Sequence, residues 1–152
     1  MNAKFQQRRL VIGALAVTSA IVLAYGCGSM SGAMGGGGAE TLTLSGSNEV
    51  PAVNTPATGT AVVTIKPDKS VTVKVTVTGM TATASHIHEG AAGTKGPVIV
   101  PFTKTADNTF EAPAGAKVTD AQYESYKAGK LYVNVHSAAH PGGEVRAQLK
   151  GS

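Results

Sequence analysis

Hydrophobic and polar positions alternate through most of the chain after residue 40. Thr41-Leu42-Thr43-Leu44 alternates, and Thr60 to Lys66 (TAVVTIK) and Ser70 to Thr78 (SVTVKVTVT) are rich in Val and Thr. In the second of these runs Val71, Val73, Val75 and Val77 share one face, and Thr72, Lys74, Thr76 and Thr78 the other. A period of two is the mark of a half-buried antiparallel strand. Pro67-Asp68-Lys69 is turn chemistry, so the two runs are predicted to form a hairpin. Further strands are expected at Pro97 to Phe102 (PVIVPF), a short one at Thr109 to Ala112, and two near the end. Lys130 to His136 puts Leu131, Val133 and Val135 on the core face, and Glu144 to Leu149 does the same with Val145, Ala147 and Leu149.

One helix breaks the pattern. Thr119 is placed to cap it, Gln122 to complete a capping box, and Gly129 to end it. It spans Thr119 to Lys127, about two turns, and reads as a crossover between strands. Seven or so short strands and one short crossover helix predict an all-β domain, an antiparallel β-sandwich, over residues 40–152.

The first forty residues follow a different rule. Lys4, Arg8 and Arg9 are basic, Leu10 to Leu23 is apolar and uncharged, and Ala24-Tyr25-Gly26-Cys27 follows. This is the layout of a secretory signal, with an apolar run short for a membrane span. Residues 1–27 are therefore expected to be a cleaved signal, of lipoprotein type ending at Cys27, whose thiol would carry the lipid. Ala24 stands where such signals usually carry Leu, and Tyr25 is bulky, so plain secretory cleavage is the alternative. An uncleaved anchor helix is a third reading, opposed by the glycine run beyond Cys27. Residues 28–39 contain SMSGAMGGGGA, a flexible tether with too little apolar surface to fold. Cys27 is the sole cysteine, so an internal disulfide is excluded.

Export changes the charge balance. The whole chain has 13 Lys and Arg against 9 Asp and Glu, and three of the basic residues lie in the signal. Ten against nine remain, which leaves no basic patch to argue for nucleic acid. The expected location is the periplasm, the outer membrane or the cell surface, or secretion if no lipid is attached. The lipid would make the membrane a partner. Gly28 after Cys27, in place of Asp, resembles signals that favour the outer membrane.

All four histidines fall in two clusters: His86-Ile87-His88, and His136 with His140 in HSAAHPGG. On a strand His86 and His88 share a face, about 7 Å apart at Cα, with Ile87 turned to the core. Imidazole suits copper and zinc. The candidate ligands are His86, His88, His136 and His140. Glu89 and Glu144 are the candidates for orienting a ligating ring through its other nitrogen. The plainer alternative is a histidine network that braces two loops, with both glutamates solvated.

Other groups carry less. Ser85 adjoins His86 but points to the opposite face. Tyr123, Tyr126 and Tyr132 read as packing residues. Gly90, Gly93 and Gly96 punctuate a loop with no helix behind them to hold a phosphate. Asn134 and Arg146 read as scaffold, Arg146 as a partner for Glu144.

Several segments resemble the CHRD domain, a module named for its repeats in the extracellular protein chordin and common in secreted bacterial proteins. They are Leu44 to Val53 (LSGSNEVPAV), Ala57-Thr58-Gly59, His86-Ile87-His88, Gly96-Pro97-Val98 and the long block Tyr132 to Leu149. The resemblance runs from about Thr41 to Leu149. Many members have Gly-Pro after His-x-His, where this chain has Glu89. The resemblance implies an extracytoplasmic β-sandwich with an immunoglobulin-like or superoxide-dismutase-like Greek key, and little about activity. His86-Ile87-His88-Glu89 is locally similar to the strand that supplies two copper ligands in copper/zinc superoxide dismutase. The dismutase's disulfide cysteines and zinc loop are absent from this sequence.

Three functions are compatible with these features. One is a metal-binding module, copper first and zinc second. Another is a non-catalytic structural or adhesion domain, with an extracellular protein or matrix partner. The third, an enzyme, would need bound copper with an open position for redox chemistry.

Overall fold

In a computed structural model, the described residues are 37–151. The expected signal, the lipid site Cys27 and nearly all of the tether lie outside them. No helix among the described residues is long and apolar enough to cross a membrane.

Nine strands and one α-helix make up the described fold. The strands are β1 (Glu40–Ser45), β2 (Thr58–Ile65), β3 (Val71–Thr78), β4 (Ala82–Glu89), β5 (Val98–Pro101), β6 (Thr103–Ala106), β7 (Thr109–Glu111), β8 (Leu131–Ser137) and β9 (Val145–Gln148). The helix α1 (Asp120–Lys127) joins β7 to β8. The antiparallel, all-β class with one short crossover helix is as the sequence pattern predicts.

The β2–β3 hairpin pairs Ile65 with Val71 and Thr58 with Thr78 in an unbroken register. Its turn is closed by the Asp68 carboxylate, which accepts from the Ser70 amide at 3.0 Å and the Ser70 hydroxyl at 2.6 Å. At the start of α1 the capping box is complete. The Gln122 amide donates to Thr119 Oγ1 at 3.2 Å, and the Thr119 amide donates to Gln122 Oε1 at 2.8 Å. Two orphan donors of the first turn are thereby satisfied.

Where two stacked sheets were expected, hydrogen bonding runs through one sheet in the order β5-β4-β8-β9-β1-β2-β3-β7-β6. Its two ends, β5 and β6, are consecutive pieces of one extended segment, split only by Phe102. The first piece pairs with β4 and the second with β7. At the junction the Phe102 amide donates to the Ser85 carbonyl at 3.0 Å. The sheet therefore curls until it nearly closes, a sandwich-like arrangement that leaves little raw edge. β6 (TKTA) is exposed at every position, so no apolar alternation announces it.

Inside the curl lies the core. Val71, Val73, Val75 and Val77 meet Leu42, Leu44, Val63, Ile65, Ile87, Phe110, Leu131, Val133, Val135 and Val145, all buried. The expected core faces of β3, β8 and β9 are the observed ones. On β8, however, the other face is buried too: Tyr132 and Asn134 are 3% and 2% exposed. Loops cover that second face, and the histidines stand on it.

Candidate metal centre

The two histidine clusters meet because β4 and β8 are antiparallel neighbours. In their register Ala84 faces His136, His86 faces Asn134, and His88 faces Tyr132. His86 and His136 are thus diagonal neighbours on one face, close enough for long side chains to touch. His86 Nδ1 lies 3.1 Å from His136 Nε2. Ring centroids are 5.5 Å apart for His86 and His88, and 6.1 Å for His88 and His136. One ligand atom from each of the three rings lies within 4.8 Å of the others. Two metal–nitrogen bonds of about 2 Å at a tetrahedral angle separate their nitrogens by about 3.3 Å. The His86–His136 pair is already at that spacing.

Backbone carbonyls set two of the rings. His88 Nδ1 donates to the Gly96 carbonyl at 2.9 Å, and His136 Nδ1 donates to the Pro141 carbonyl at 3.0 Å. A carbonyl can only accept, so the proton sits on Nδ1 and the lone pair on Nε2 in both neutral rings. Both Nε2 lone pairs are left for the cluster. Orienting a ring through its second nitrogen is what a metal site needs.

The loop at Gly96 can come so close because it is glycine. A Cβ there would lie 1.6 Å from the Glu89 carbonyl oxygen. Tyr132 completes the setting of His88. Its ring stacks on the imidazole at 4.9 Å and 6°, and its hydroxyl accepts from the Gly96 amide at 3.1 Å. Arg146 places its guanidinium carbon 3.4 Å from the Tyr132 ring centroid. Tyr132 stands on β8 between β4 and β9, so His88 and Arg146 approach it from opposite sides.

The electrostatics favour neutral rings. Burial pushes the His86 pKa down to about 4, helped by His136 and His88. Burial also lowers His88, against the Gly96 carbonyl and the Asn134 side chain, which raise it. His136 is lowered by burial, with the Pro141 carbonyl opposing. Neutral imidazole is the form that binds metal. His86 and His136 are only partly buried, so the cluster is reachable from outside.

The remaining sequence candidates stand elsewhere. His140 is not in the ligand group; its backbone shapes the loop, accepting from Gly143 at 3.1 Å and donating to Ser137 Oγ at 3.1 Å. The Glu89 carboxylate takes the Ser125 hydroxyl at 2.5 Å and ties β4 to α1. Glu144 accepts from Thr55 at 2.7 Å and from the Ser137 hydroxyl. The bonds that orient His88 and His136 thus go to the Gly96 and Pro141 carbonyls, not to these glutamates. Nor does Arg146 pair with Glu144. It donates to the carbonyls of Thr94 at 2.7 Å and Ala91 at 3.2 Å, and to Gln148 Oε1 at 3.0 Å. It pins the 90–97 loop over the sheet. Cys27 lies outside the described residues.

From the sequence Asn134 and Arg146 read as scaffold and Tyr132 as packing, and Glu49 carries no chemical signal of its own. A signal was present in KLYVNVH: with Leu131, Val133 and Val135 inside, Tyr132, Asn134 and His136 must share the other face.

A family model described as the CHRD domain matches residues 41–149. No curated protein and no solved structure matches the chain.

Proposed function

As the chain belongs to the CHRD domain family, we propose that this domain binds one transition-metal ion, copper first and zinc second, through His86, His88 and His136. The observation that carries the reading is the convergence of three neutral imidazoles within 4.8 Å, two of them with Nε2 freed by a backbone carbonyl. Three nitrogen ligands on a partly open face leave room for a further ligand. His140 is not part of this set.

The same reading places the domain outside the cytoplasm, held by a lipid on Cys27 or secreted. The signal-like order of Lys4 to Cys27 motivates it. Labelling with a palmitate analogue, in wild type and Cys27→Ala, tests the anchor: label lost in the variant supports it, and an unlabelled wild type removes it.

Calorimetric titration with Cu(II) and Zn(II) tests the site. Stoichiometric binding that is lost in His86→Ala is expected, with a metal-dependent rise in Tm. Equal binding by the variant would sink the proposal.

A second reading has its own support. The His88–Gly96 and His136–Pro141 bonds each brace a loop, as a structural or adhesion domain would use them. Under that reading His86→Ala and His136→Ala lower Tm in chelator, and metal changes nothing. Copper redox catalysis is the remaining option. A superoxide assay on copper-loaded protein that gives only free-copper activity removes it.

A further inference from the structure

Three buried side-chain atoms among the described residues take no hydrogen bond: Glu49 Oε1, His88 Nε2 and Asn134 Oδ1. They belong to one neighbourhood. Asn134 faces His86 in the β4–β8 register and lies between Tyr132 and His136 on β8. Its side chain lies against both His88 and Glu49. A Cβ built on Gly143 would lie 2.5 Å from Glu49 Oε1 and 2.7 Å from Asn134 Nδ2, so the carboxyl and the amide flank one point. Gly143, at φ 120°, leaves that point open.

All three atoms present lone pairs. His88 Nε2 does so because its Nδ1 proton is committed to Gly96, and the two oxygens do so by their nature. A buried acceptor with no donor is unfavourable, because it has given up water and gained nothing. Three in one place call for a cation, or for a proton and a turned amide. The three imidazoles bring no charge to offset a metal ion, and Arg146 adds a positive one nearby. Of the two buried carboxyls among the described residues, Glu144 takes the Thr55 and Ser137 hydroxyls, which leaves Glu49, with Oε1 unbonded, to balance it.

We propose that Asn134 Oδ1 supplies a fourth, oxygen ligand to the ion held by His86, His88 and His136, with Glu49 holding the amide from behind and balancing the charge. This rests on the metal-binding reading above. Three imidazoles and an amide oxygen, with no thiolate or thioether, suit a divalent ion, Zn(II) or Cu(II), in preference to Cu(I).

The test is titration of the full chain with Zn(II) and Co(II), comparing wild type, Asn134→Ala, Asn134→Ser and Glu49→Gln. Melting in chelator shows which variants are folded, and Asn134→Ser stands in if the alanine variant is not. The Asn134 variant is expected to bind about 10- to 100-fold more weakly, with an altered Co(II) visible spectrum. Glu49→Gln is expected to weaken binding and leave the Co(II) spectrum unchanged. A folded Asn134 variant with wild-type affinity and spectrum overturns the fourth ligand and leaves the three-histidine site standing. Tighter binding by that variant also overturns it, because the amide nitrogen would then have been capping His88 Nε2. Wild type that binds neither metal overturns the fourth ligand, and wild type that also fails to bind Cu(II) removes the metal-binding reading with it.

Discussion

Nδ1 of His86 lies 3.1 Å from Nε2 of His136, fifty positions further along the chain. The Pro141 carbonyl holds the His136 proton on Nδ1, so the facing Nε2 is an acceptor and His86 Nδ1 donates to it. A proton now occupies a place between two nitrogens that an ion could take. Metal binding must displace it, and acid must compete with it.

The first expectation is a pH dependence of the metal-free protein. His86 is held down to about 4 in the folded state, against an ordinary value of 6.5, with burial the main cause. Between those values the unfolded chain binds the proton and the folded chain does not. Stability therefore falls as pH drops from about 6.5 towards 4. Glu49, raised by burial, acts in the opposite sense, gaining stability as it takes up its proton. Thermal melts in chelator should show Tm declining below about pH 6.5, with a shallower decline in His86→Ala. A flat profile in wild type would count against neutral, desolvated rings.

Individual histidines should differ sharply in their effect on metal affinity. His88→Ala and His136→Ala each remove a nitrogen from the convergent set, and Zn(II) binding should weaken by about 100-fold or more. His140→Ala should leave it unchanged, since that residue contributes loop backbone. Competition against a chelator of known affinity gives the ratios. Equal losses across the three variants would mean that the loop as a whole, not the ligand set, is being measured.

Arg146 should matter for stability more than its charge suggests. It is 2% exposed, bonds two loop carbonyls and Gln148, and lies against Tyr132. Arg146→Ala removes three charge-assisted bonds and the stacking on Tyr132, a cost of about 3 kcal/mol or more. Arg146→Lys should recover little, because an ammonium cannot serve the three acceptors in the same fork geometry. Urea denaturation measures both. A loss under about 1 kcal/mol would show the 90–97 loop to be held by other contacts.

The helix cap offers a control remote from the histidines. Thr119→Ala removes the acceptor for the Gln122 amide and should cost about 1 kcal/mol. Zn(II) affinity should not change. A coupled loss of affinity would mean that α1 positions the site, with the Ser125–Glu89 bond as the route.

Local chemistry made much of the fold legible before any coordinates. Val71 to Val77 face inward because a strand repeats every two residues, and Thr119 caps α1 because its oxygen reaches the third amide of the helix. The pairing of His86 with His88 on one face followed from the same period. β6 was invisible, because TKTA has no apolar side to bury and owes its state to hydrogen bonds with β7.

The order of residues thus carries local information: the period of each strand, the cap of the helix, the core face, and the gathering of histidines into two motifs. Tertiary structure decided which motifs meet. Only the β4–β8 register puts His136 diagonal to His86, and only the loop closures bring the Gly96 and Pro141 carbonyls onto the rings in place of Glu89 and Glu144. It also decided that the second face of β8 is covered, so that Asn134, which reads as scaffold, becomes a buried acceptor beside Glu49 and His88. Register and loop closure are contacts between residues distant in sequence. Periodicity carries no trace of them.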